Sequence, residues 1–240
     1  MILRLDNVSK RFGGLRALKH VSLGVAQGEI FGLIGPNGAG KTTLLNVIAG
    51  VHRPEEGRVR LAGEDVTGLE PHVLCRKGLS RTFQIAQAFS ELSVLENVLV
   101  AATFGSEPCT NVQAEQRALE ALKAVGFTLP VDAPAGNLNT AQLKRLDLAR
   151  ALASHPRVLL LDEVAAGLTP TELLDVIQLL RHINSTGVTL IVVEHLMRLI
   201  LEVCDRVAFI ESGEVLAEGP PRQVAQDGRV MEAYLGAELR

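Results

Sequence analysis

The residues Gly35-Pro36-Asn37-Gly38-Ala39-Gly40-Lys41-Thr42 have the types and spacing of a phosphate-binding loop. Glycines at 35, 38 and 40 let the backbone wrap closely round an anion, so that several N–H groups point inward. Lys41 can reach the β- and γ-phosphates of a nucleotide, and the Thr42 hydroxyl can ligate Mg2+. Much later in the chain the apolar run Val158-Leu159-Leu160-Leu161 ends in Asp162-Glu163. A strand that delivers a carboxylate at its C-terminal end suits a Mg2+ held through water by Asp162. Glu163, one residue on, is placed to orient or deprotonate an attacking water. His195, just after the apolar stretch Val188–Val193, could face a γ-phosphate, but spacing alone equally fits a packed or surface histidine. Gln84, after Arg81-Thr82-Phe83, carries less weight taken alone.

These groups need a scaffold. Glu29 to Ile34 reads as a buried strand, and Thr43 to Ala49 has helical spacing that ends at Gly50. Strand, glycine loop and helix in that order are the context the loop requires, and the helix N-terminus adds partial positive charge. Residues 2–8 and 18–26 read as strands around a turn at Gly13-Gly14, and 57–61 as another strand before a turn at Gly63-Glu64-Asp65. A short helix is expected from Pro71.

From 84 to 155 the pattern is helical, with loops at 105–108 and 129–136. Ser93 and Glu96 have capping-box spacing, and Gln113–Val125 is expected to bury Ala118, Leu119, Leu122 and Val125. Alternation resumes with strand 158–161, a helix over 170–184 opened by Thr169 and Glu172, and strands at 188–193 and 207–210. The alternation predicts an α/β fold with a largely parallel sheet covered on both faces, and the block between strands predicts a helical subdomain.

The chain has 240 residues, 47% of them hydrophobic and 21% charged, and a formal net charge of −3. That suits one sizeable domain and provides no basic field to recruit nucleic acid. Cys75, Cys109 and Cys204 form no metal or redox pattern and read as reduced thiols of a cytosolic protein. The first residues look like a strand rather than a signal peptide. No stretch reaches the roughly 18 apolar residues that span a bilayer, so membrane association is expected to run through a partner.

Taken together, these positions resemble the ATP-binding cassette (ABC) ATPases over essentially the whole chain, 1–240. The resemblance implies one ATPase domain with the α/β P-loop nucleoside-triphosphatase core of a mainly parallel sheet, with 1–83 and 156–240 as the ATP-binding core with an antiparallel β subdomain and 84–155 as the helical subdomain. It makes Gly35–Thr42 Walker A, Val158–Asp162 Walker B, Glu163 the catalytic glutamate, Gln84 the Q-loop glutamine and His195 the switch histidine. Pro36, Asn37, Ala39 and Thr43 join the ATP contacts, Gln84 joins Thr42 and Asp162 on Mg2+, and Phe12 stacks on adenine. The fit looks closest to the cytoplasmic ATPase subunits of branched-chain amino acid type importers. Similar stretches are Phe12-Gly13-Gly14-Leu15, Gly78 to Gln84, Glu91 to Val98, Asp162 to Leu168 and Asp227 to Gly236.

The implied partners are a second ABC ATPase subunit in a homo- or heterodimer, two membrane permease subunits and, indirectly, a periplasmic or extracellular solute-binding protein. The implied place is the cytoplasmic face of the inner membrane. The chain departs from the family where Leu-Ser-Gly-Gly-Gln becomes Leu138-Asn139-Thr140-Ala141-Gln142, and where Val164 replaces the usual proline. Asn139 and Gln142 would still face a partner's ATP, while Thr140 and Ala141 remove the glycine backbone. These changes suggest pairing with a different cassette that carries an intact signature. Rival readings are a nucleotide-regulated cassette with weak hydrolysis and a soluble non-transport ABC ATPase. No sustained heptads lie between the Walker motifs, as a DNA-repair type needs, and no Asn-Lys-x-Asp motif points to GTP.

Overall fold

A computed structural model describes residues 1–83 and 87–238, with side chains up to Ala233. In chain order the first elements are β1 (Leu3–Phe12), β2 (Leu15–Val25), β3 (Ile30–Ile34), α1 (Lys41–Ile48), β4 (Glu56–Leu61), β5 (Glu64–Asp65) and α2 (Pro71–Arg76). Then come β6 (Leu79–Arg81), α3 (Val94–Thr103), α4 (Asn111–Ala124), α5 (Thr140–Ala153) and β7 (Val158–Asp162). The last part holds α6 (Pro170–Ser185), β8 (Thr189–Val193), α7 (Met197–Val203), β9 (Arg206–Glu211), β10 (Glu214–Gly219), α8 (Pro221–Ala225) and α9 (Gly228–Glu238). The chain divides into two compact units, residues 1–71 with 165–240, and residues 72–164.

In the first unit β1, β2, β4 and β5 make an antiparallel sheet ordered β2-β1-β4-β5. The β1–β2 hairpin extends further than alternation suggests, closing Phe12 on Leu15 round Gly13. Register shifts between Leu5 and Arg11 act as bulges, so the polar run Ser9-Lys10-Arg11 stays paired without clean in–out alternation. The expected turn at 63–65 sits one residue earlier, on Ala62 and Gly63, both at positive φ. That is the hairpin geometry that matches strand twist, and it lets Glu64 and Asp65 pair with Leu61 and Arg60.

A second set of strands in the same unit runs in the order β10-β9-β3-β8. β3 pairs in parallel with β8 and β9, while β10 returns antiparallel along β9. Every residue of β3 and β8 is buried, as continuous apolar runs in a covered parallel sheet require. α1 presses Leu44, Leu45, Val47 and Ile48 into this core, and α6 presses Leu173, Ile177, Leu180 and Ile183.

In the second unit β6 and β7 pair in parallel, Leu79 with Val158 and Arg81 with Leu160. β6 is a strand that hydrophobic pattern does not reveal, because its residues Leu-Ser-Arg lack an apolar run. Ser80 and Thr82 are nonetheless buried, and the Ser80 and Ser154 hydroxyls lie 2.5 Å apart. The helices α3, α4 and α5 also belong to this unit, as does α2 from His72 on. Ser93 and Glu96 close the expected capping box on α3. α4 begins earlier than expected, on a Thr110–Gln113 box, and buries Ala114, Ala118, Ala121 and Leu122 with Val125 just beyond. Leu119, expected on that face, is 43% exposed. At 100° per residue it lies off the stripe traced by 114, 118, 121, 122 and 125. Among the described residues no helix is long and apolar enough to cross a membrane.

Candidate nucleotide site

The glycine loop leaves the C-terminal end of β3 and runs into α1. Gly35 has φ of 147°, and a Cβ there would lie 2.0 Å from the Ile210 carbonyl oxygen of β9. Gly40 caps α1 at φ of 107°, where a Cβ would come within 2.6 Å of the Ala17 oxygen on β2. Both ends of the loop are therefore held against neighbouring strands at distances only glycine allows. The β9–β10 turn adds a brace, since Gly213 N–H donates to Ala39 at 2.9 Å and Lys19 N–H donates to Gly213 at 2.8 Å. At the tip, Gly38 faces open space, and a Cβ added there would meet nothing within 4 Å.

Lys41 is buried, and its Nζ donates to the Gly35 oxygen at 2.6 Å and the Pro36 oxygen at 2.9 Å. The ammonium thus sits inside the glycine loop. Thr42 is exposed in the first turn of α1, with Thr43 half-buried beside it. Tight backbone, open tip, enclosed cation and exposed hydroxyl fit a nucleotide phosphate with Mg2+. Among the described residues there is no group of three or more His, Cys, Asp or Glu side chains that could hold a metal. A Mg2+ site completed by phosphate oxygens and water needs none.

The strand that precedes His195 pairs in parallel with the strand that precedes the loop. Leu33 of β3 pairs with Val193 of β8, and Glu194 N–H reaches the Leu33 oxygen at 3.4 Å. The glycine loop leaves β3 after Ile34, and His195 follows β8 by two residues. His195 is exposed. Phe12 ends β1 on the hairpin whose other strand touches Gly40, and is 44% exposed. The His52 ring meets it edge-on at 5.1 Å, and Lys10 Nζ lies 5.3 Å from its centroid. Glu55 fixes Lys10 at 2.7 Å and the Arg11 N–H at 2.8 Å.

Asp162 and Glu163 belong to the second unit. Asp162 ends β7, is buried, and takes the Arg81 guanidinium at 3.8 Å. Burial pushes the Arg81 pKa down, while Asp162 and Asp147 push it back up. Glu163 adopts φ of 51°, unusual for a residue with a Cβ. That conformation costs about 1–2 kcal/mol, and such strain collects where a side chain must be aimed. Asn139 and Gln142 serve each other: Asn139 Oδ1 accepts from Gln142 N–H at 3.0 Å, and Gln142 Oε1 accepts from Asn139 N–H at 2.9 Å. This capping box starts α5 at Thr140, three residues before the helical run read from sequence. Gln84 lies outside the described residues.

The family model described as ABC transporter matches residues 18–166, which contain the glycine loop and the Asp162-Glu163 pair. The chain belongs to the ABC transporter family. A second model, for the branched-chain amino acid ATP-binding cassette transporter, matches this cassette over residues 214–239. The cassette is 38% identical over 250 residues to the high-affinity branched-chain amino acid transport ATP-binding protein BraF of Pseudomonas aeruginosa, covering 98% of each chain. It is 36% identical over 247 residues to a probable LivG of Archaeoglobus fulgidus, covering 99% of this chain and 96% of that one. Among solved structures, the ADP conformation of MJ1267, an ATP-binding cassette of an ABC transporter, matches with TM-score 0.87 and 32% identity, covering 98% of each chain. The fold is accordingly the α/β nucleoside-triphosphatase fold of ABC ATPases, and the cassette is an ATPase.

Sequence reasoning passes over Glu194. It is 1% exposed, and its Oε1 accepts from the Ala165 N–H at 2.7 Å. It thereby ties the residue before His195 to the segment that follows Glu163. A carboxylate at the end of an apolar strand, adjacent to the histidine, is the signal that could have found it.

Proposed function

We propose that this cassette is the ATP-binding and hydrolysing subunit that powers an importer for branched-chain amino acids or a similar small solute. The observation that carries the reading is the glycine loop at the end of β3, which encloses the Lys41 ammonium through the Gly35 and Pro36 oxygens. Full-length likeness to BraF and LivG supports the solute class. Lys41 and the loop N–H groups from Gly35 to Thr43 would hold the triphosphate, and Phe12 would stack on adenine. Thr42, Gln84 and Asp162 would ligate Mg2+, which when bound neutralises charge gathering on the phosphate oxygens. Glu163 would take a proton from the attacking water, and His195 would sense the γ-phosphate.

The implied domain plan assigns 1–83 and 156–240 to ATP binding and 84–155 to a helical subdomain facing the membrane partner. Two permease subunits, and indirectly a solute-binding protein, complete the importer at the cytoplasmic face of the inner membrane. A second ATPase subunit is part of the plan, and the similar cassette MJ0796 is described as dimeric with ADP and Pi. The capping box occupies Asn139 and Gln142, two of the three polar side chains of the altered signature, which favours a partner cassette of different sequence with an intact one. The site on this chain's Walker A would then be the active one. The experiment mutates the catalytic glutamate of each subunit separately in the reconstituted importer. Glu163→Gln should abolish transport; intact transport with Glu163→Gln, and loss with the partner's mutation, would reverse the assignment.

A further inference from the structure

We infer that Asp147 and Arg150 of α5 are positioning residues for Gln84, acting through Phe83 and Gln87, the described residues on either side of it. The inference rests on the reading of Gln84 as a nucleotide sensor. Before Gln84, the Phe83 N–H donates to Asp147 Oδ2 at 2.8 Å. After it, Arg150 Nη1 donates to the Gln87 carbonyl oxygen, and the Arg150 guanidinium lies 5.2 Å from the Phe89 ring centroid. Asp147 and Arg150 are one helical turn apart, with Arg150 Nη1 3.8 Å from Asp147 Oδ1.

The Asp147–Arg150 pair is continuous with the metal-side carboxylate. Arg81 Nη2 stands 3.8 Å from Asp162 Oδ2, Asp147 also acts on Arg81, and the Arg81 guanidinium lies 5.0 Å from the Phe83 ring centroid. Charges therefore alternate from Asp162 through Arg81 and Asp147 to Arg150, all within one compact unit. Asp147 is only 6% exposed, and a buried carboxylate needs such partners.

Phe89 has an independent anchor. Asn97 of α3 is fully buried; it accepts the Phe89 N–H at 2.8 Å and donates to the Phe89 and Ser93 carbonyls at 3.0 and 2.9 Å. With Phe89 fixed from α3, a change at Asp147 or Arg150 acts on the stretch between 83 and 89. α5 is also the helix that Asn139 caps, so movement of its N-terminus would be felt at Phe83 and Gln87 through one helix.

The test uses the full chain with Asp147→Ala and Arg150→Gln. Hydrogen–deuterium exchange of peptides spanning 83–89, without nucleotide, should quicken roughly tenfold or more while the β3 and β8 peptides stay unchanged. In the reconstituted importer, ATP turnover should fall roughly 10–100-fold with KM for ATP within about twofold, since misplacing a sensing group costs rate more than binding. Asp147→Asn, which keeps an acceptor for Phe83, should restore most of the protection. If either main variant fails to fold, Arg150→Lys replaces it, with exchange about threefold faster expected. Wild-type exchange at 83–89 in folded variants overturns the inference. Nucleotide binding that survives Lys41→Ala undamaged would instead sink the underlying reading and leave the exchange result standing.

Discussion

Gly35 and Gly38 belong to the same loop and both have positive φ, yet alanine should affect them in different ways. At Gly35, φ is 147° and the added Cβ would lie 2.0 Å from the Ile210 carbonyl oxygen. That oxygen belongs to β9, which pairs with β3, so relief requires shifting a core strand. Backbone strain and displaced packing together cost roughly 3 kcal/mol. At about 2–4 °C per kcal/mol for a chain of this size, Gly35→Ala should melt about 6–12 °C lower. At Gly38, φ is 78° but the Cβ meets nothing within 4 Å. Only the left-handed backbone cost of about 1–2 kcal/mol remains, a drop of about 2–8 °C. Binding should reverse the order of interest. Saturation of the wild-type protein at about 100 times Kd adds roughly 2.7 kcal/mol, so ATP should raise its melting point by about 5–11 °C. Gly38→Ala should lose most of that rise, because its methyl group faces the mouth through which a phosphate approaches the loop N–H groups. The assay is thermal unfolding followed by circular dichroism, with and without Mg-ATP. Equal melting points for the two variants, or a full ATP response in Gly38→Ala, would refute the geometry assigned to the loop.

Three further outcomes are expected. Asn139→Ala should lower stability by about 1 kcal/mol and speed exchange at the first turn of α5, and unchanged exchange there would remove the capping box as the reason α5 starts at Thr140. Burial raises the Asp147 pKa above its ordinary 3.8, partly offset by the Phe83 N–H, Arg150 and Arg81. A raised carboxylate stabilises the fold fully below 3.8 and loses that contribution as pH climbs through the folded value. The melting point of Asp147→Asn minus that of wild type should therefore grow as pH rises from below about 4 toward neutrality, and a falling difference would mean that the arginines outweigh burial. Finally, Glu194→Ala leaves the Ala165 N–H without its carboxylate acceptor and should cost about 1–3 kcal/mol, while Glu194→Gln retains most of the stability; equal losses would mean that charge, not hydrogen bonding, matters there.

Much of the core was legible because its signals are local. The run Ile30–Ile34, the glycines and Lys41 mark a strand, a turn and a helix start in one short stretch of chain. The Ser93–Glu96 and Thr169–Glu172 boxes were readable for the same reason. Long-range features were not. β6 is a strand only because β7 pairs with it, and its Leu-Ser-Arg sequence has no strand pattern of its own. Asp147 and Arg150 look like ordinary helix charges until the fold brings Phe83 and Gln87 beside them. The self-satisfied pairing of Asn139 with Gln142 also escapes notice, because the resemblance directs attention to what those side chains would do for a partner's ATP rather than for their own helix.

The central claim is that Lys41, held inside the glycine loop by the Gly35 and Pro36 carbonyls, meets the phosphates of ATP. Equilibrium binding of ATP to the full chain and to Lys41→Ala tests it most directly. Loss of an enclosed, charge-assisted contact of roughly 1.5–3 kcal/mol should weaken binding about 10–150-fold, with the charge-conserving control Lys41→Arg binding in between. Equal affinity in wild type and Lys41→Ala would contradict the account.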